Sequence, residues 1–243
     1  MRIIKVNAID STNSYLRKMC NEEFVTDYTI ITTNKQTKGR GQMGTVWDSD
    51  KGKNLVFSVF KDLNTLTIEN SFYVSIVTSL AIHKALKEIN ITALKIKWPN
   101  DILSETNKIC GILIENVIKN NKLSSCIIGV GLNVNQTEFK NLPKASSLKS
   151  ITGKHFNLDE LLNNIINQLK HYFTRLDNDE FAELKQEYED ELFRKNKPST
   201  FRNTEGTMFS GFIKGISNSG KLNILLEDEI TQEFDLKEIT LLY

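Results

Sequence analysis

The sequence predicts an α+β domain followed by a small five-stranded β-barrel. Three observations predict it. Short runs rich in β-branched residues recur through the first half of the chain. Two stretches further in place apolar residues three and four apart. From Pro198 onward, short β runs alternate with Gly206, Gly211, Gly215 and Ser217-Asn218-Ser219-Gly220. A length of 243 residues suits one large unit with a small appendage, divided here as 1–193 and 194–243.

Arg2 to Ile9 reads as the first strand. Asp10-Ser11-Thr12-Asn13 offers several N-caps for a helix reaching to about Cys20, with Tyr15, Leu16 and Met19 on its apolar face. Tyr28 to Thr33 and 54–60 read as strands around a glycine-rich loop. From Phe72 to Ile89 apolar side chains nearly encircle a helix, as expected where one packs under a sheet. Strands follow at about 93–97, 109–117 and 124–131, the last two joined as a hairpin through Lys119-Asn120-Asn121-Lys122. Leu158 to Leu176 keeps helical spacing, with Asp159 and Glu160 suitably placed in the first turn, and a second helix carries Phe181, Leu184, Tyr188 and Leu192. Arg194-Lys195-Asn196-Lys197-Pro198 reads as a solvated connector.

Lysine and arginine number 31 against 30 acidic residues, which argues against a protein that works by bulk phosphate neutralisation. The aromatic residues of the terminal barrel stand among acidic ones, not on a basic stripe, so a nucleic-acid partner is not expected. No apolar stretch suits a signal peptide or a membrane span. Cys20, Cys110 and Cys126 are odd in number and lack metal spacing, which fits buried thiols in a reducing cytoplasm. His83, His155 and His171 have no partner at ligand or triad spacing and read as structural.

Four segments carry the chemistry. In Gln36 to Trp47, Gly39, Gly41 and Gly44 fit G-x-G-x-x-G, yet a strand follows where a dinucleotide fold needs a helix. What remains is a mobile, phosphate-friendly loop with one guanidinium, Arg40. In Lys97-Trp98-Pro99-Asn100-Asp101 the proline forces a sharp turn that presents Asn100 and Asp101 at a strand end. Two readings stand for Asp101: a capped turn, or a magnesium ligand beside a nucleotide's phosphates. In Lys108 to Glu115 a lysine stands at the mouth of an apolar strand, and Gly111 leaves space on one face. That lysine is either a solvated strand end or a fixed charge over a developing anion. In Gly129-Val130-Gly131-Leu132-Asn133 the glycines again permit close approach, and Asn133 can read a ring edge.

Together these segments resemble the biotin–protein ligases. Ser11-Thr12-Asn13 stands for the family's S-T-N, and Gln36-x-x-Gly39-Arg40-Gly41-x-x-Gly44-x-x-Trp47 for its glycine loop. Lys97-Trp98-Pro99-Asn100-Asp101 is its K-W-P-N-D, and Lys108-x-x-Gly111-Ile112-Leu113-Ile114-Glu115 its K-x-x-G-I-L-x-E. Gly129-x-Gly131-x-Asn133 and Ala145-Ser146-Ser147-Leu148 agree too, so the match runs through nearly the whole chain.

The resemblance implies a mixed sheet with packed helices, the class II aminoacyl-tRNA-synthetase-like catalytic fold, plus a C-terminal SH3-like barrel. It implies an enzyme that joins biotin and MgATP into biotinyl-5′-adenylate and then acylates one lysine of a biotin carboxyl carrier domain. Biotin and ATP with magnesium are then substrates, and no tightly bound prosthetic group is expected. Lys108 and Arg40 would be catalytic. Ser11, Thr12, Asn13, Gln36, Arg40, Gly41, Gln42, Lys108 and Gly111 would bind biotin. Gly39, Trp47, Lys97, Asn100 and Asn133 would meet the nucleotide, and Asp101 the magnesium ion. A lipoate–protein ligase is the alternative, but its R-R-x-S/T-G-G-G-A-type run is missing. Some relatives carry an N-terminal DNA-binding domain. This sequence opens on the catalytic domain's first strand, so a cytoplasmic ligase without a repressor function is expected. Homodimerisation through the central sheet is left open. Many relatives have a second arginine where Gln42 stands, so a loop that closes less tightly is expected here.

Overall fold

In the computed structural model, which describes residues 1–63, 66–120 and 122–243, twelve strands form two sheets. The first strand, β1 (Arg2–Ile9), lies parallel to β2 (Thr29–Gln36). Every other pairing in this sheet is antiparallel. It adds β3 (Leu55–Asp62), β4 (Leu94–Lys97), β5 (Asp101–Ser104), β6 (Asn107–Lys119) and β7 (Lys122–Leu132), in the order β1-β2-β3-β7-β6-β5-β4. The expected mixed sheet is present. Asn121, in the turn expected between β6 and β7, lies outside the described residues, but Lys119 pairs with Lys122 as the hairpin requires.

Helix α1 (Thr12–Glu22) starts where the sequence predicts, with Ser11 as N-cap accepting from the Ser14 amide. It covers one face of the sheet, where Leu16, Val25, Ile31 and Ile127 form a small core. Helices α2 (Tyr73–Glu88), α4 (Leu158–Asp177) and α5 (Phe181–Asp190) cover the other face. Strand periodicity follows from this division, because successive side chains point to opposite faces. Phe57 and Val59 of β3 join the large core, whereas Ser58 between them turns to α1. Burial pushes the thiols of Cys110 and Cys126 far above their ordinary range, and both lie in the large core. Cys20 is only half-buried, unlike the expectation for all three.

Two elements were missed by periodicity. Strand β5 has four residues and sits directly after the Pro99 turn, too short for an alternation to register. Helix α3 (Leu148–Thr152) has five, capped by Ser147. The connector is also not free. Ile96 and Phe193 exchange backbone bonds with Glu191 and Ile96, and Asn196 N–H donates to Ile213, which ties residues 191–196 to β4 and to the second sheet. That sheet comprises β8 (Pro198–Asn203), β9 (Met208–Ile216), β10 (Leu222–Leu226), β11 (Thr231–Phe234) and β12 (Ile239–Leu242), ordered β11-β10-β9-β8-β12. Five antiparallel strands stand where five were expected. Its apolar face continues the large core without a break, since Phe201, Ile213, Leu222 and Ile224 belong to it, and Trp98 Nε1 donates to the Gly220 carbonyl across the junction.

Candidate active site

On the α1 face of the large sheet, β7 lacks side chains at two successive outward positions, Gly129 and Gly131. Gly111 of β6 pairs directly with Gly131 and faces the same way. Three glycines on one face of two neighbouring strands leave a hollow, and a cavity of about 450 Å³ opens there. Other side chains occupy the space a Cβ would need. At Gly129 it would lie 2.3 Å from Asn13 Oδ1, at Gly131 2.3 Å from the Trp47 indole, and at Gly111 2.9 Å from that indole and 3.2 Å from Lys108 Cε. The close approach expected at these glycines is therefore made by the protein's own Asn13, Trp47 and Lys108.

One end of the cavity is lined by hydrogen-bonding side chains, with Arg40 held beside them on Ser14 and Glu115. The start of α1 brings Ser11, Thr12 and Asn13 there, all almost fully buried. Thr12 N–H and Oγ1 both donate to Gln36 Oε1, at 2.8 and 3.2 Å. Ser58 Oγ donates toward Thr12 Oγ1 at 2.7 Å and to Asn13 Oδ1. Asn13 Nδ2 donates to Glu115 Oε2 at 2.9 Å. The lone serine in the apolar run of β3 is the local sequence signal for this network.

The other end is charged. Lys108 Nζ lies 2.7 Å from Asp101 Oδ1, and Lys97 Nζ 3.7 Å from Oδ2. Asp101 Oδ1 is buried and accepts no aligned hydrogen bond. Lys108 reaches the cavity through a backbone irregularity. In a regular strand, residues three apart face opposite sides, so Lys108 and Gly111 would diverge. Here the β5–β6 register shifts, with Ile102 opposite Cys110 and Leu103 opposite Lys108. Ile109 and Cys110 both enter the core, and Lys108 returns to the Gly111 face. The segment 144–146 braces it, because Lys108 N–H donates to Lys144 O and Ser146 N–H donates to Lys108 O.

Arg40, Gly41, Gln42 and Trp47 roof the cavity, with Asn100 at its edge. Gln42–Gly44 form a single 3-10 turn, in which Met43 takes a left-handed conformation and Gly44 a positive φ of 81°. The indole nitrogen of Trp47 is buried without a partner. Asn100 Nδ2 donates to Ile112 O at 2.8 Å, so its amide holds the floor strand.

Three of the expected site residues do not line this cavity. Gly39 is packed beneath the loop, where a Cβ would strike the Trp47 carbonyl at 2.1 Å. Asn133 is buried and spends its amide on Ser146 O, so it secures the brace beside Lys108. Lys97 lines a separate cleft of about 180 Å³ between the two sheets, with its ammonium 5.4 Å from the Tyr243 ring. Burial pushes that ammonium below its ordinary pKa, opposed by Asp101. None of the three histidines lines the cavity. His83 packs against Glu191 at 3.6 Å, and burial holds its pKa down.

Residues 6–133 match the model of the biotin/lipoate A/B protein ligase family. The chain is 28% identical over 170 residues to the bifunctional ligase/repressor BirA of Bacillus subtilis, covering 68% of this chain and 51% of that protein. It therefore spans about half the length of that relative. It is 27% identical to a biotin–[acetyl-CoA-carboxylase] ligase of Paracoccus denitrificans, over 88% of this chain and 90% of the other. Among solved structures, the biotin protein ligase from Aquifex aeolicus in complex with biotin and ATP superposes with a TM-score of 0.83 at 28% identity, covering 99% and 98% of the two chains.

Proposed function

The chain belongs to the biotin/lipoate A/B protein ligase family, and from that premise we propose that it is an ATP-dependent biotin–protein ligase, forming biotinyl-5′-adenylate and passing the biotinyl group to one lysine of a carrier domain. The separation of a hydrogen-bonding end, at Ser11, Thr12, Asn13 and Gln36, from the Lys108 ammonium across the glycine floor is the observation that carries this reading. A ureido ring carries N–H donors and a carbonyl acceptor, which Ser11, Thr12, Asn13 and Gln36 can match. A dithiolane ring offers neither, so it would cover those polar groups without adding a hydrogen bond to them, which favours biotin over lipoate.

With the ureido ring beside Gly129, the end near which Arg40 rests on Ser14 and Glu115, the valeryl chain runs along the glycine floor toward Lys108. Both reactants are anionic there, so like charges must be held together. Lys108 supplies the opposing charge there, Arg40 would add to it on turning from Glu115, and holding the reactants together makes the encounter intramolecular. The biotin carboxylate attacks the α-phosphorus and pyrophosphate leaves. In the second step the carrier lysine attacks the biotinyl carbonyl and AMP leaves. Trp47 and the loop over the cavity keep water from the mixed anhydride between the two steps.

Magnesium is implied with the nucleotide. Among the described residues no three acidic, histidine or cysteine side chains gather. A single carboxylate, with phosphate oxygens and water completing the set, is nonetheless an ordinary magnesium site. Asp101 is the carboxylate at the Lys108 end of the cavity, and since its Oδ1 is paired with Lys108 Nζ at 2.7 Å, it would hold the ion through Oδ2. The ion would screen the phosphates when bound.

Incubation of the protein with a biotin carboxyl carrier domain, MgATP and biotin, followed by intact-mass measurement, should show a single biotinyl increment. A parallel reaction with lipoate should show none. An increment with lipoate alone would move the protein to the sister activity. Gln42 bears on the leak of the intermediate: Gln42→Arg is expected to slow adenylate release, by about fivefold for one added charge contact. Equal release rates would sink that idea.

A further inference from the structure

Glu115 lies outside the cavity lining, yet three side chains converge on it. Its carboxylate is mostly buried, with 13% of the side chain exposed. Asn13 Nδ2 donates to Oε2, while Arg40 and Arg17 both reach Oε1, Arg17 at 2.8 Å. Asn13 and Arg17 are four residues apart on α1, so one face of that helix grips the carboxylate twice. Arg40 also donates from Nη1 to Ser14 Oγ at 3.1 Å. Of the two arginines only Arg40 lines the cavity.

One carboxylate held by two guanidinium groups is more than neutralisation requires. If Arg40 turned to an anion in the cavity and nothing replaced it, Glu115 would remain as a largely buried, unpaired charge, which is strongly unfavourable. We propose that Arg17 is a positioning residue: it keeps Glu115 paired, so that Arg40 is free to leave the carboxylate for a substrate anion. Its like charge beside Arg40 also weakens Arg40's hold on Glu115. The identity of the anion, a carboxylate or phosphate of the adenylation step, rests on the proposed ligase function. The release of Arg40 does not.

The inference has a double-mutant test. Pyrophosphate affinity is measured by calorimetry without biotin, and biotin-dependent pyrophosphate–ATP exchange is measured separately. Arg17→Ala should weaken both by about tenfold, the scale of coupling between charged neighbours. Arg17→Lys should restore them to near the wild-type values. In a Glu115→Gln background, Arg17→Ala should change neither, because the neutral amide no longer detains Arg40. An unchanged Arg17→Ala protein, or the same loss in the Glu115→Gln background, would overturn the inference. So would absence of any pyrophosphate binding by the wild type, since Arg40 must be able to take an anion. If wild-type exchange is absent but the affinity cycle behaves as described, the ligase reading falls and the role of Arg17 stands.

Discussion

Lys108→Ala is expected to lower biotin-dependent pyrophosphate–ATP exchange by about a hundredfold to a thousandfold, the usual cost of removing one preorganised charge from a site where negative charge gathers. The fold should survive. Lys108 is partly exposed, with 36% of its side chain open, and Asp101 keeps Lys97 at 3.7 Å as a counter-charge. Stability should fall by about 1–3 kcal/mol, because Asp101 is 13% exposed and keeps only the more distant Lys97. Lys108→Arg should not restore the rate, because the Lys108 stem already passes 3.2 Å from where a Gly111 Cβ would stand, and a planar fork needs more room. Exchange kinetics beside a thermal melt decide the matter. A folded Lys108→Ala protein that retains more than about a tenth of the exchange rate would remove Lys108 from the chemistry.

Gly129→Ala should act at the opposite end, on biotin and not on ATP. Its new Cβ would lie 2.3 Å from Asn13 Oδ1, 2.9 Å from Cγ and 3.1 Å from Nδ2, so the whole amide must move. Moving it breaks the bond from Ser58 Oγ and the one to Glu115, in a region where the partners are nearly dry. Each buried group left unpaired costs about 1–3 kcal/mol. Two such losses predict a biotin KM raised about a hundredfold, with stability lower by about 2 kcal/mol. The KM for ATP should stay within about twofold, because Gly131, Trp47 and Lys108 are untouched; each 1.4 kcal/mol would be tenfold. Steady-state kinetics in both substrates test this. Equal effects on the two KM values would mean that the hollow has collapsed as a whole, and that Asn13 has no separate part in it.

The elements that the chain announces are those whose signals are local. The β1 strand spans Arg2–Ile9 as expected, Ser11 caps α1, and the apolar spacing of α4 runs from Leu158 to the end of the helix. Strand β5 was not legible, because four residues after a proline turn have no periodicity to measure. The segment 194–198 reads as solvated because it is basic, yet Asn196 N–H donates to Ile213 of β9, and Glu191 and Phe193 just before it bond to β4, partners that lie far away in sequence.

The candidate site divides in the same way. Residue types and spacings single out the glycine loop and leave Lys108 and Asp101 with two readings each, while Ser11-Thr12-Asn13 reads only as a set of N-caps until the family resemblance implies a ligand there. Arg17 carries no sequence signal of a role, Ser58 only that of a lone serine in an apolar run, and Glu115 enters only as the end of the K-x-x-G-I-L-x-E motif, because the three meet only when α1 lies across β3 and β6. Asn133 and Lys97 are expected by type as ligand contacts; in the fold Asn133 bonds to the brace at Ser146, and Lys97 lines the cleft between the sheets with its ammonium 3.7 Å from Asp101.

The sequence alone determined which side chains exist to do chemistry and which local elements carry them, since helical and strand periods and turn residues act over a few positions. Only the tertiary structure decided which of those side chains share a space. The Lys108-to-Gly111 spacing shows why: by strand period the two diverge, and only the register shift against β5 buries Ile109 and Cys110 together and turns Lys108 back to the cavity. A pairing between strands is a property of two segments at once, and no inspection of either segment contains it.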